Sequence, residues 1–222
     1  MLRVVAVTAL VILTTTAAYA DLTVTAGADV YSSYIWRGFE LCDDPVVQPS
    51  VTLATEALSF NVWGSFDAGD RGRCTELDYT LTHPFRAGDL EASVGFIYYT
   101  FPNLTEGRST QEVFATLTRP GRVPVTLAGY HDYQLGDGLY AELGAAVPVR
   151  VAGGDGSLAL ALGYNEHQWR EGSGLSHLQA KLSRPIGAGR VTVSPVVGYS
   201  LGLSHDFGDH LFVGVSAGMA LP

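Results

Sequence analysis

The chain has little of what catalytic and nucleic-acid-binding proteins rely on. Its 222 residues include two cysteines, two methionines and one lysine (Lys181), and only 16% are charged. Acidic residues outnumber basic ones 22 to 13, for a formal net charge of −9, and the basic residues form no stripe. Nucleic acid is recognised first through a clustered positive surface, so this balance argues against it as a partner. Cys42 and Cys74 alone do not make a structural zinc site, which needs a closed tetrahedral set. No metal or cofactor is expected. There is no GxSxG elbow, HExxH helix or phosphate-cradling loop. His177 and Ser183 share a face of one candidate strand, but about 20 Å apart along it. The expectation is a protein that is not an enzyme. No apolar run beyond residue 20 is long enough for a transmembrane helix, and helical periodicity is nearly missing.

What is present begins with a leader. Arg3 supplies the positive charge, Val4 to Leu13 the apolar core, and Ala18-Tyr19-Ala20 a small-x-small cleavage site. That is the pattern of a secretory signal peptide over residues 1–20, removed before Asp21. Its loss takes Arg3 with it and makes the remaining chain still more acidic. Residues 21–222 show no linker-like shift in composition and are expected to form one domain. With 47% hydrophobic residues and 26 glycines, that domain is ordered rather than disordered.

The domain reads as an all-β chain of about twelve strands, from Leu22–Tyr34 and Val46–Ala54 through Cys74–Phe85 to His210–Leu221. The connections alternate in kind. Thr55-Glu56-Ala57, Ala87-Gly88-Asp89, Pro120-Gly121-Arg122, residues 152–156 and Gly187-Ala188-Gly189 are short or turn-like, with glycine and proline where tight corners need them. Residues 101–109, 167–175 and 202–209 are longer and more polar. Short turns at one end and longer loops at the other predict a transmembrane antiparallel up-and-down β-barrel, with the turns periplasmic and the loops extracellular. Arginines gather at the short-turn end (Arg86, Arg119, Arg122, Arg150, Arg184, Arg190), and acids such as Asp43, Asp44, Asp206 and Asp209 at the loop end. Solvated rims account for this. Divalent cations bridging the acids to lipopolysaccharide phosphates are a second reading.

Successive side chains in a strand point to opposite faces. One face of each candidate strand is nearly free of charge, for example Leu139, Ala141, Leu143, Ala145 and Val147, or Leu158, Leu160, Leu162 and Tyr164. Such rows suit contact with lipid. Tyr34, Trp36, Tyr79, Phe85, Tyr98, Tyr164 and Tyr199 fall mostly near strand ends, where aromatic girdles lie. The opposite face is the candidate pore lining. It holds Asp29, Arg37, Asn61, Trp63, Glu76, Asp78 and Thr80, then Glu91, Glu112, Tyr140, Glu142, His177, Gln179, Lys181 and Arg190. Its acids outnumber its bases, which predicts a preference for cations. Two arrangements fit these residues: a conducting constriction, or a salt-bridged plug.

The central stretch is GADVYSSYIWRGFELCDDPVVQPSVTLATEALSFNVWGSFD. Its Tyr34-Ile-Trp-Arg-Gly, Pro45, Gln48-Pro49 and Asn61-Val62-Trp63-Gly64-Ser65 resemble the amino-terminal hallmark of the TorF-like family of outer-membrane porins. The resemblance implies a bacterial outer-membrane barrel with a pore role. It supplies no catalytic or binding residues. Many such barrels end on an aromatic residue, whereas this chain ends Met219-Ala220-Leu221-Pro222. Two cysteines in an exported chain predict a Cys42–Cys74 disulfide across the loop end. The functional expectation is passive diffusion of small hydrophilic solutes across the bacterial outer membrane, with the membrane lipid and lipopolysaccharide as surroundings. The alternative is a non-conducting barrel that scaffolds envelope or periplasmic partners.

Overall fold

The computed structural model describes residues 22–69, 73–103 and 108–221. The expected signal peptide at residues 1–20 lies outside them. The wall is built from β1 (Thr23–Tyr31), β4 (Val46–Ala54), β5 (Ser59–Asp67), β6 (Arg73–Ala87), β7 (Leu90–Phe101) and β8 (Arg108–Arg119). It continues with β9 (Val125–Asp132), β10 (Gly138–Val151), β11 (Gly154–Glu166), β12 (Ser173–Ser183), β14 (Val191–Gly202) and β15 (His210–Leu221). A short β13 (Ile186–Ala188) pairs with the start of β14 where β12 leaves off. Neighbours run antiparallel throughout. The sheet closes where β1 meets β15, from Val24↔Leu221 to Tyr31↔Gly214, and β12 bonds to β14 from His177↔Gly202 to Ser183↔Val196. The result is a closed barrel of 12 staves. Closure leaves no unpaired edge, which a lipid setting does not tolerate.

Burial is inverted relative to a soluble barrel. Large apolar side chains lie exposed around the outside, among them Leu143, Leu160, Val197, Val213 and Leu211, the last 69% accessible. The residues buried inside are polar: Glu112, Asp132, Asn165, Gln168, His177 and Ser200. Only a barrel whose exterior faces hydrocarbon gains by this arrangement. Phe60, Tyr79 and Tyr98 stack across neighbouring strands on that exterior, at centroid distances of 6.4 and 6.3 Å. At the short-turn end the β10–β11 connection is only Ala152-Gly153, at φ 46° and 79°. Both left-handed residues match the twist of the flanking strands, as two-residue hairpins require.

Three expectations are corrected. The first candidate strand, Leu22–Tyr34, ends at Tyr31, and the chain then leaves the wall. Residues 34–42 form a separate hairpin, β2 (Tyr34–Trp36) and β3 (Phe39–Cys42), that pairs with no wall strand. Tyr34 and Trp36 therefore do not belong to an exterior aromatic girdle. Thirdly, Cys42 is a free thiol facing the Asp44 carbonyl at 3.5 Å, so the expected bridge to Cys74 is not found. The Cys74 side chain itself lies outside the described residues.

Candidate functional site

The β2–β3 hairpin turns into the barrel, and its tip is Arg37-Gly38. Both residues have positive φ, 52° and 89°. Arg37 adopts the left-handed region that glycine tolerates best, a sign that its surroundings over-determine it. Those surroundings are specific. One guanidinium nitrogen donates to Glu112 Oε2 at 2.7 Å and to Gln168 Oε1 at 2.8 Å, and the other to Glu112 Oε1 at 2.8 Å. Gln168 Nε2 donates to the same Glu112 at 2.8 Å, and the Tyr99 hydroxyl at 3.0 Å. The guanidinium also lies over three rings, at 4.5 Å from Trp36, 4.1 Å from Tyr130 and 4.6 Å from Tyr140. A planar fork that both pairs with a carboxylate and stacks on aromatics is the use for which lysine is no substitute. Burial opposes the charge, and the Glu112 hydrogen bonds outweigh it, so Arg37 is held above its ordinary pKa.

The rest of the hairpin is tied to the wall nearly all the way round. The Tyr34 ring tilts against Trp63 of β5 at 5.6 Å, and its hydroxyl bonds to Glu76 of β6. Trp36 meets Tyr99 of β7 edge-on at 6.3 Å. Phe39 packs on Phe207 of the β14–β15 loop at 4.6 Å, and Glu40 pairs with His210 of β15 at 3.3 Å. Gly38 sits against β12, where an added Cβ would stand 2.9 Å from the His177 Cβ. His177 reaches this place because of a bulge: the β11–β12 register slips between Leu162 and Tyr164, leaving Ser176 and His177 together and both buried. His177 then stacks on Tyr140, with rings 6.3 Å apart and 4° from parallel.

The expected lining residues divide into groups. Arg37, Glu112, Trp63 and Glu76 hold or touch the hairpin. Asp78 is buried beside them, with one carboxylate oxygen unpartnered in the protein. Tyr140 donates to Glu142 at 2.7 Å, and Asn61 donates across to Thr52 at 2.8 Å. Asp29, Gln179 and Lys181 line a cavity of about 220 Å³ together with Tyr34 and Gln48. Arg190 belongs to a wider space of about 630 Å³ at the short-turn end, among Thr25, Ser50, Thr192 and Ser216. Glu91 is the outlier: it stands exposed at that rim, 3.9 Å from Arg86. Sequence reasoning missed Gln168, Tyr130 and Tyr99 as partners of Arg37. The inward parity of Tyr99 and Tyr130 on their strands was readable, but nothing in a loop glutamine marks it as a clamp.

The model of a family described as a bacterial protein of unknown function (Gcw_chp) matches residues 15–220. The chain belongs to the Gcw_chp family. Its TorF-like resemblance is not a name that this match carries. No curated protein matches the chain in sequence. Among solved structures it is similar to the COG4313 outer membrane channel from Pseudomonas putida F1, at TM-score 0.54 and 11% identity, covering 90% of this chain and 95% of that one. Outer membrane phospholipase A from Escherichia coli aligns at TM-score 0.49 and 15% identity, covering 89% and 92% of the two chains. At such identities the likeness is one of fold: Gcw_chp here is a barrel of the outer-membrane channel type.

Proposed function

We propose that this Gcw_chp protein is an outer-membrane channel for small hydrophilic solutes, with the loop end outside, whose flow is limited by the β2–β3 hairpin. The observation behind this reading is a hairpin folded into the lumen and held there by one buried ion pair. Below it, polar space continues to the short-turn mouth. Gln48 Nε2, Asp78 Oδ1 and Ser200 Oγ are buried without a protein partner, a costly state unless water or solute reaches them.

Cation preference is part of the proposal. Arg37 balances Glu112, while Asp29, Glu76, Asp78 and Glu142 face the lumen against Lys181 alone. A narrow path feels such charges because screening acts over about 8 Å at physiological salt. The second reading, a non-conducting scaffold, draws on how completely the hairpin is tied to the wall.

Planar-bilayer recording tests both. The expected outcome is a small cation-selective conductance that grows in Arg37→Ala and becomes less selective in Asp29→Asn or at high salt. Anion preference at low salt would overturn the selectivity. If neither the wild type nor a hairpin-opened variant conducts, the scaffold reading replaces the channel.

A further inference from the structure

Above the hairpin, on the loop side, lies a cavity of about 290 Å³ with a lining unlike the rest of the lumen. Trp36, Phe39, Tyr99, Phe101 and Trp169 supply five aromatic rings, and Leu41 completes the apolar wall. Phe101 and Trp169 meet edge-on at 6.3 Å, and Trp36 and Phe39 stack at 6.3 Å with planes 25° apart. The mouth is open to the outside, since Leu41 and Trp169 are both exposed. Trp169 is not a stray loop residue. Its backbone is held at φ 58° and its N–H donates to Gly136 O at 3.0 Å, which presents the indole to the cavity.

Two polar side chains reach this space, Glu76 and Thr110. The Thr110 hydroxyl is already spent, donating to Asp132 at 2.7 Å and accepting from Leu135 N–H at 3.0 Å. Glu76 accepts from Tyr34, but a carboxylate has about four acceptor sites, so one bond leaves capacity for another donor. An apolar cavity of about 150 Å³ is enough to bind benzene, so this one has room for roughly two fused rings.

We propose that the loop-end cavity is a binding site for a small planar aromatic molecule of one or two rings that carries a cationic or hydrogen-bond-donating group, received by Glu76. The rings supply edge and face contacts to a flat ligand, and the one available polar group is an acceptor, which selects donors over acids. Because Trp36 and Phe39 flank the Arg37-Gly38 tip, such a ligand rests on the hairpin itself.

Isothermal calorimetry on the detergent-solubilised full barrel tests the site, with tryptamine as probe and indole-3-acetate and hexylamine as controls. Tryptamine is expected to bind saturably, one per barrel, with both controls weaker by about tenfold or more. Trp169→Ala and Phe101→Ala, each checked for intact heat-modifiable migration, are expected to weaken tryptamine by about tenfold. Glu76→Gln is expected to erase the preference over indole-3-acetate. The site is overturned if tryptamine gives no saturable heat, if binding survives both aromatic truncations, or if hexylamine or the acid binds as well as tryptamine. The readout is independent of conductance, so a failure here leaves the channel proposal standing.

Discussion

At the scale of single residues, Arg37 shows how a charge is made acceptable inside a barrel. Its side chain is 8% accessible and that of Glu112 1%, so neither has water to fall back on. Removing one partner of such a pair leaves the other buried and uncompensated, typically costing about 3–5 kcal/mol. Arg37→Lys keeps the charge but loses the fork and the ring contacts. Hydrogen exchange of the amides of residues 34–42 is expected to accelerate in Arg37→Lys, and more so in Glu112→Ala. Gly38 is the second point of leverage. At φ 89°, and with His177 against it, Gly38→Ala strains the backbone and collides with β12 at once. It is expected to release the hairpin about as effectively as loss of the ion pair, at a cost of roughly 1–3 kcal/mol from the backbone alone. Unchanged exchange in Gly38→Ala would show that the tip does not seat as described.

At the scale of elements, wall and hairpin are separable. The β2–β3 hairpin forms its own two-stranded sheet and lends no backbone hydrogen bond to the wall ladders. Replacing residues 34–42 by a short Gly-Ser linker is therefore expected to leave heat-modifiable migration intact while raising conductance above that of wild type. The wall was the legible part of the sequence. Leu139, Leu143 and Val147 alternate with Tyr140 and Glu142 because lipid and lumen impose a period of two, and glycines mark the short turns. The hairpin was not legible, because Tyr34 and Trp36 carry the composition of a girdle at a strand end. What turns them inward is the company of Glu112, Tyr130 and Gln168, which are 75, 93 and 131 residues beyond Arg37 in the chain. Local pattern holds no information about partners so remote. The bulge that exposes His177 to Gly38 was equally hidden, since a register shift belongs to a pair of strands rather than to either one.

For the molecule as a whole, the exterior decides where it is stable. Leu143 lies midway along β10 on the outer face and half exposed. Leu143→Arg is expected to lower stability in lipid vesicles by about 2–4 kcal/mol, the cost of a basic side chain near the bilayer midplane. Denaturant titration of the vesicle-bound barrel measures it. A neutral effect would mean that this face does not meet hydrocarbon. The seam has a different kind of consequence. The first wall strand pairs with the last, and beside that seam Ser32 N–H donates to Val213 O at 2.9 Å, while Val213 N–H returns a bond to Ser32 Oγ at 3.1 Å. The root of the hairpin is thus fastened to the strand synthesised last. The clamp around Arg37 comes from strands and a loop that are made in between, and it encircles the hairpin only once those ends have met. Nothing can be left half shut along the way: the chain has no barrel before its final strand arrives, and when it does, closing the wall and corking the lumen become a single act of assembly.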